Sequence, residues 1–116
     1  MRSFSQQHAA EVAILRSSIR ELKQVAAKYH CFHRIFCPHI LGLKDDKWHV
    51  LGWQFGGASE RGGLPNWRCM ALDELSLLSS QDGSWHRGHA KGVSKQYCID
   101  WVDTIVDPAF AAIKVA

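Results

Sequence analysis

The first periodic stretch of the chain is an amphipathic segment close to the N-terminus. Its apolar residues recur every three or four positions, as on one face of a helix: Val12, Leu15, Ile19 and Leu22. This spacing predicts an N-terminal helix over 9–23. Basic residues form a second stripe on the same segment, offset from the apolar face: Arg16, Arg20 and Lys23.

Beyond this helix the pattern changes to short segments rich in strand-forming residues and separated by turn residues. The period over 24–29 fits either a longer helix or a first strand. Residues 33–41 favour a strand, and Pro38 requires a strand edge or a bulge there, because proline cannot donate a ladder hydrogen bond. The turn residues of 44–47 lead to the clearest strand, 48–55, so the sequence predicts a hairpin.

After residue 55, glycine-rich and aspartate-containing segments separate the predicted elements from one another. Residues 56–65 hold four glycines and a proline and predict a flexible loop. Residues 66–72 favour another strand, and Asp73 is placed to cap a short helical turn through residue 78. A further turn is predicted over 81–84.

The segment 97–106 fits either a helix or a strand. Its apolar residues have helical spacing, and so does an acidic stripe formed by Asp100, Asp103 and Asp107. Opposite charges of similar spacing attract, although exposed pairs contribute little to stability. We therefore expect the acidic stripe to face the basic stripe of the N-terminal helix, within one chain or across a dimer.

One helix followed by four or five short strands predicts an α+β protein. The expected architecture is a small, strongly bent antiparallel sheet or β-barrel, with an N-terminal helix and a C-terminal helical or strand segment. A length of 116 residues suits a single domain with one core. We divide it into the helix (9–23), the barrel core (24–80) and a C-terminal extension (81–116).

Composition and charge narrow the function classes. The net charge is +3, which is too small to indicate nucleic-acid binding without a clustered basic patch. The longest apolar stretch is far below the ~18 residues of a transmembrane helix. Residues 1–8 lack the apolar core of a secretory signal, so we expect a cytoplasmic protein with no membrane partner.

The four cysteines are Cys31, Cys37, Cys69 and Cys98, and none forms a C-x-x-C pair. In a cytoplasmic protein they are expected to be reduced. Residues 30–39 contain three histidines and two cysteines, which are possible metal ligands. Cys31 with His33, and Cys37 with His39, are spaced two apart, which on strands does not suit chelation of one ion. We predict neither a metal nor a cofactor.

Three segments together resemble the WYL domain family. They are Arg34-Ile35-Phe36-Cys37-Pro38-His39-Ile40-Leu41-Gly42, then Lys47-Trp48-His49-Val50-Leu51-Gly52-Trp53, then Trp67-Arg68-Cys69-Met70-Ala71-Leu72-Asp73-Glu74-Leu75. In the family these are an Arg-rich strand ending in Pro, the Trp-Tyr-Leu strand and a strand closing in Leu-Asp-Arg-Ile. Small stand-alone members are similar in the residues before Gly42 and in the pairs Trp53-Gln54 and Trp67-Arg68. The resemblance covers about 14–78.

The resemblance implies an SH3- or Sm-like barrel. Such domains are mostly the regulatory half of bacterial transcription factors and are thought to sense nucleic acid or nucleotide ligands through a basic, aromatic-lined face. Two positions depart from the family pattern: Glu74 replaces a ligand-binding Arg, and His49 replaces the Tyr of the name motif. About 25 residues precede the first barrel strand, too few for a winged helix.

No catalytic motif of a hydrolase, metalloprotease or phosphate-binding loop occurs, so we predict a non-enzymatic protein. Small barrels bind single strands by stacking bases on aromatic rings beside cations. The candidate ligand-binding residues are accordingly Arg34, His39, His49, Trp53, Gln54 and Arg68. Trp48 and Trp53 are five apart and face opposite sides of a strand, and we expect Trp53 to be the more exposed.

The predicted function is a regulatory or sensing module, with transcriptional regulation as its setting and single-stranded nucleic acid or a nucleotide as its partner. The alternative is a protein-interaction module whose ligand site is lost. Such a module would form a homodimer through its helices and open strand edges.

Overall fold

The computed structural model describes residues 8–58, 63–88 and 98–106. It confirms the α+β class, with one helix and a six-stranded antiparallel sheet among these residues. The elements are α1 (Ala9–Glu21), β1 (Gln24–Tyr29), β2 (Phe32–Lys44), β3 (Lys47–Gly57), β4 (Asn66–Ala71), a 3-10 turn (Leu72–Glu74), β5 (Leu75–Gln81) and β6 (Trp101–Ile105).

The predicted N-terminal helix is confirmed as α1, which buries Val12, Leu15 and Ile19 against the sheet. It ends at Glu21 because Leu22 takes a left-handed conformation, with φ 57°. The Lys23 N–H then donates to the Ser18 carbonyl at 2.9 Å. This is a Schellman cap, and it turns the chain directly into β1.

The strand order is β4-β3-β2-β1-β5, and β6 pairs with β2. The ambiguous residues 24–29 are therefore a strand. Because β2 is 13 residues long, it pairs with β3 along nearly its whole length, with β1 at one end and with β6 at the other. The strand, not the helix, is thus the correct interpretation of the C-terminal segment.

β2 has β3 on one side, and on its other side the neighbouring strand changes from β1 to β6 at Pro38. β1 pairs with β2 up to Phe36, and β6 pairs from Ile40 onward. The register between β2 and β3 also shifts between Pro38 and Ile40, so His39 is the extra residue of a bulge. The predicted bulge at Pro38 is confirmed, and the strand that holds it is central.

Two tight hairpins fix the register of the central strands. The predicted turn between β2 and β3 is confirmed, and its loop residues Asp45 and Asp46 both have positive φ. A second two-residue loop, His30 and Cys31, joins β1 to β2 with the same left-handed backbone. Loops of this geometry match the twist of antiparallel strands.

The short helical turn predicted near Asp73 is present, but its cap and its extent to residue 78 are wrong. Asp73 lies inside the 3-10 turn, which begins after Ala71 without a side-chain cap, and Leu75 starts a strand. That strand forms because residues 75–81 pair with β1, a partner about 50 positions earlier in the chain. Gln81, expected in a turn, is the last residue of β5.

The predicted loop over 56–65 begins later than expected, because β3 continues to Gly57. Residues 59–62 lie outside the described part of the chain. Beyond them β4 confirms the predicted strand.

The expected contact between the charged stripes occurs within one chain, through Arg16 and Asp103. Asp107 lies outside the described residues. β6 also runs so close to β2 that Gly42 has no space for a side chain beside the backbone of Trp101.

Apolar residues cover both faces of the sheet. The helix-side core lies between α1 and the sheet and includes Phe36, Val50 and Met70. The opposite core includes Leu51, Trp53, Trp67 and Ile99. Among the described residues, no helix has the length and apolarity needed to span a membrane.

The expectation that all four cysteines are reduced is wrong. Cys69 in β4 forms a disulfide with Cys98, just before β6. Cys31 and Cys37 are free thiols, the first exposed and the second buried. The bond joins the segment before β6 to β4, which lies at one end of the strand order.

Candidate functional site

The six predicted ligand-binding residues divide between the two faces of the sheet. Side chains alternate along a strand, and directly paired residues share a face. Gln54 alternates with Val50 of the helix-side core, and Arg34 pairs with Ala27 of that core. By the same alternation Arg68 lies on the helix side, whereas the opposite face holds His39, His49 and Trp53.

Arg34 and Gln54 are brought together. The Arg34 Nη1 donates to the Gln54 side-chain oxygen at 3.1 Å. Both side chains are buried, at 4% and 0% exposure. The Gln54 amide nitrogen in turn donates to the Gly56 and Ala58 carbonyls, at 3.0 and 2.8 Å. Gln54 therefore holds the Arg34 guanidinium in place and anchors the end of β3.

Aromatic rings from the β1–β2 hairpin surround the same guanidinium. The Arg34 Cζ lies 5.1 Å from the centroid of the Tyr29 ring and 6.0 Å from that of Phe32. The His30 ring stacks on Tyr29, with centroids 4.1 Å apart and planes 16° apart. A cation over a ring is attracted to its π face, so Arg34 stabilises this arrangement.

The series continues to an acidic residue, because His30 Nε2 contacts Glu74 Oε1 at the end of the 3-10 turn. We call Arg34, Tyr29, His30 and Glu74 the hairpin stack. Its outer members are accessible: the side chains of His30 and Glu74 are 43% and 47% exposed. Phe32, beside the stack, is 36% exposed.

Sequence reasoning found Arg34 and Gln54 but missed Tyr29, His30 and Phe32. The ambiguity over 24–29 hid the hairpin, and with it the fact that the three aromatic residues flank or form its loop. The available indication was composition alone: three rings within four residues, beside an arginine.

Arg68 is on the helix-side face but outside the hairpin stack. It pairs with Gly52 across β4 and β3, and its Nη1 donates to the Trp67 carbonyl at 3.1 Å. Because β3 separates β2 from β4, the backbones of Arg34 and Arg68 are about 10 Å apart in the pairing direction alone.

His39 and Trp53 belong to an aromatic cluster in the opposite core. The Trp53 and Trp67 rings meet edge to face at 5.1 Å, and His39 lies 4.9 Å from Trp67 and 4.8 Å from Trp85. Trp53 is 6% exposed, the same as Trp48, so the expected difference in exposure is wrong. Their placement in opposite cores confirms that they face opposite sides.

Burial determines the chemistry of His39. Its ring is fully buried, and Nδ1 carries the proton because it donates to the Cys37 carbonyl at 2.8 Å. Burial lowers the pKa of His39 to about 4, although backbone hydrogen bonds to Cys37 and Arg87 oppose the shift. At neutral pH His39 is therefore a neutral core residue.

His49 lies at the other end of β3, beside the Asp45–Asp46 loop. It pairs with Gly42 in β2, and its Nδ1 donates to the Lys47 carbonyl at 3.0 Å. Eight positions of β3 separate it from Gly57, the partner of Arg34. That distance is roughly 26 Å along a strand, so His49 and the hairpin stack are separate.

The crowded histidines and cysteines of 30–39 do not converge. Within the ranges 8–58, 63–88 and 98–106, no group of three or more potential metal ligands is present. The bulge in β2 places His39 in the core, whereas the pairing of β1 with β2 leaves His30 and Cys31 in the hairpin loop.

No family model matches the sequence, and no curated protein or solved structure matches it. The likeness to WYL domains therefore rests on the three segments quoted above.

Proposed function

We propose that the protein is a non-enzymatic, WYL-like module that binds single-stranded nucleic acid or a nucleotide at the hairpin stack. The observation that carries this proposal is the placement of the Arg34 guanidinium. An amide fixes it and the rings of Tyr29 and Phe32 surround it, while His30 and Phe32 remain partly exposed. Exposed rings beside a fixed cation suit a ligand that has both a base and a phosphate.

Each part of the site has a separate task in this proposal. Bases stack on the accessible faces of His30 and Phe32, an interaction of about 1–3 kcal/mol per base. Arg34 is too buried for direct phosphate contact, so it orients the rings and supplies positive potential. Lys28 is exposed in β1 but pairs with His33, so its side chain lies on the other face of the sheet and adds only to the positive potential of the hairpin.

The barrel architecture and a role in transcriptional regulation are further parts of the proposal. Register shifts in the β1–β5, β2–β3 and β2–β6 ladders support strong bending, because bulges increase the local twist. β4 and β5 are the two ends of the sheet order, so a barrel would need them to approach each other. The regulatory role follows from the WYL resemblance alone.

The test is fluorescence anisotropy with labelled single-stranded oligonucleotides, with competition by free nucleotides. We expect binding at low salt that weakens as salt increases. Phe32→Ala should weaken it by roughly tenfold, the loss of one stack. The control is Leu77→Ala, which removes an apolar side chain that is 79% exposed on β5. Absence of binding by the folded wild type at low salt would contradict the proposal.

A second candidate function, self-association, is favoured by the composition of β5. This end strand of the sheet has no charged residue over Leu75–Gln81, and Leu77 is 79% exposed. Uncharged edge strands pair readily with other chains. Sedimentation should then show a concentration-dependent dimer that Leu77→Lys disrupts. A monomer at all concentrations would exclude this function.

The location of the protein stays a prediction. A disulfide such as Cys69–Cys98 is more typical of oxidising compartments than of the cytoplasm. Accessibility of these two thiols to alkylation in rapidly quenched cells would distinguish the two.

A further inference from the structure

We infer that the hairpin stack selects guanine over the other bases, through the carboxylate of Glu74. This inference rests on the proposed function and names the base that the site accepts. Glu74 contacts the ring of His30, on which a base can stack.

Backbone pairing fixes the position of Glu74. Tyr29 pairs with Leu75, so Glu74 lies directly beside the hairpin loop that holds His30. Its Oε1 contacts His30 Nε2, one of the ring atoms farthest from the His30 backbone. A base that stacks on the outer face of His30 therefore meets the carboxylate with its own edge.

The carboxylate has the capacity for this second contact. An ionised carboxylate has two oxygens with about four acceptor positions and no donor. The contact with His30 uses one oxygen, and the Glu74 side chain is 47% exposed. The remaining positions can accept hydrogen bonds only, so they select bases by their donors.

Only guanine presents two adjacent donors, N1–H and the N2 amino group, on one edge. Adenine and cytosine each place a ring-nitrogen acceptor next to their amino donor, and that lone pair would face a carboxylate oxygen. Uracil and thymine offer one donor between two carbonyls. A well-formed bidentate contact discriminates by about 5- to 150-fold between bases, so Glu74 favours guanine by at least this lower factor.

The closing experiment uses equilibrium dialysis of the full chain at low salt to measure its dissociation constants for GMP, IMP, AMP, CMP and UMP. We expect GMP to bind at least fivefold more tightly than AMP, CMP or UMP, and IMP to lie between GMP and AMP because it lacks the N2 amino group. Short oligouridylates with and without one central G form a second arm. Selection in this arm alone assigns the site to single strands, and selection in both arms assigns it to free nucleotides as well.

Variants test whether Glu74 is responsible. Glu74→Gln should reduce the GMP-to-AMP ratio to within about twofold, because an amide presents a donor beside its acceptor. Asp73→Asn is the matched control: it makes the same charge change at an adjacent side chain that is 53% exposed, and it should leave the ratio unchanged. Circular dichroism verifies that both variants are folded.

Two results would overturn the inference while leaving nucleotide binding intact: affinities for all five nucleotides within threefold, or a guanine preference that survives Glu74→Gln. If no nucleotide and no oligonucleotide binds the folded wild type, the proposed function fails, and the inference fails with it.

Discussion

The guanidinium of Arg16 forms two hydrogen bonds with the carboxylate of Asp103, at 2.8 and 2.9 Å. The pair joins α1 to β6, elements 87 positions apart in the sequence. The hydrogen bonds from Arg16 lower the pKa of Asp103, and the Thr104 hydroxyl adds to the effect, while partial burial opposes it.

Loss of this pair should lower stability by a modest amount. The Arg16 side chain is 40% exposed, so solvent screening limits the effect of Arg16→Gln to about 1 kcal/mol at pH 7. Because the folded pKa of Asp103 lies below the unfolded value of 3.8, the contribution is complete above that pH and is lost as the pH falls through the folded pKa. Urea denaturation at pH 7 and pH 3 measures the difference.

A double-mutant cycle separates the pair from its surroundings. Arg16→Gln with Asp103→Asn should show coupling at pH 7 that is weaker at pH 3, because the pH is then below the unfolded pKa of Asp103. Arg20→Gln, one turn later on α1, is the control and should couple less strongly. Equal coupling at both pH values would contradict the ion pair.

Acid should destabilise the protein through His39. Its pKa of about 4 in the fold is below the unfolded value of 6.5, so the unfolded chain binds more protons between these values. The contribution of His39 to the free energy of unfolding has its full value above pH 6.5 and falls by about 3 kcal/mol as the pH decreases to 4. Guanidinium denaturation at pH 7.5 and pH 5 tests this, and His39→Gln should flatten the dependence. Equal stability of the wild type at both pH values would contradict a neutral, buried imidazole.

Replacing Leu22 by glycine should stabilise the protein. Leu22 has a left-handed backbone conformation at the cap of α1. In this conformation a residue with Cβ lowers the free energy of unfolding by about 1 kcal/mol relative to glycine. The Leu22 side chain is also 46% exposed, so little packing is lost on its removal. Leu22→Gly should therefore raise the thermal midpoint by a few degrees. Leu22→Ala also removes the leucine side chain but keeps Cβ, so it should give no such gain. Equal midpoints for the two variants would show that backbone conformation is not the cause.

Reduction of the Cys69–Cys98 disulfide should lower stability. The bond closes a loop of 29 positions, and loops of this size contribute about 3 kcal/mol through the entropy of the unfolded chain. Cys69→Ser and Cys98→Ser should each reproduce the effect of reductant, and neither should respond to reductant further. Cys31→Ser, at an exposed free thiol, is the control. A thermal midpoint that reductant leaves unchanged would contradict the disulfide.

Local patterns were sufficient for the elements that depend on near neighbours. The spacing of Val12, Leu15 and Ile19 predicts α1 because a helix buries one face with a fixed period. Asp45 and Asp46 tolerate positive φ, so the β2–β3 hairpin also follows from the sequence. The contact of Arg16 with Asp103 was predictable from the charged stripes, although not its restriction to one chain.

Elements defined by distant partners were not predictable. β5 has weak alternation and is a strand because β1 offers an open edge. Trp53 was expected to be more exposed than Trp48, because alternation gives the face of a residue but not what covers that face. In the structure, Gly88 and Trp67 lie against its ring. The hairpin stack likewise needs the 3-10 turn to bring Glu74 to His30, a contact that no local pattern contains.

The change of partner along β2 has a consequence for biosynthesis. Residues 40–43 of β2 obtain their second neighbour only from β6, which lies about 60 positions later. Until that strand has left the ribosome, this apolar half of a central strand presents unpaired backbone groups. Such an edge invites pairing with other nascent chains. We therefore expect the polypeptide to depend on protection by chaperones until β6 has emerged, although the other five described strands are able to pair before then.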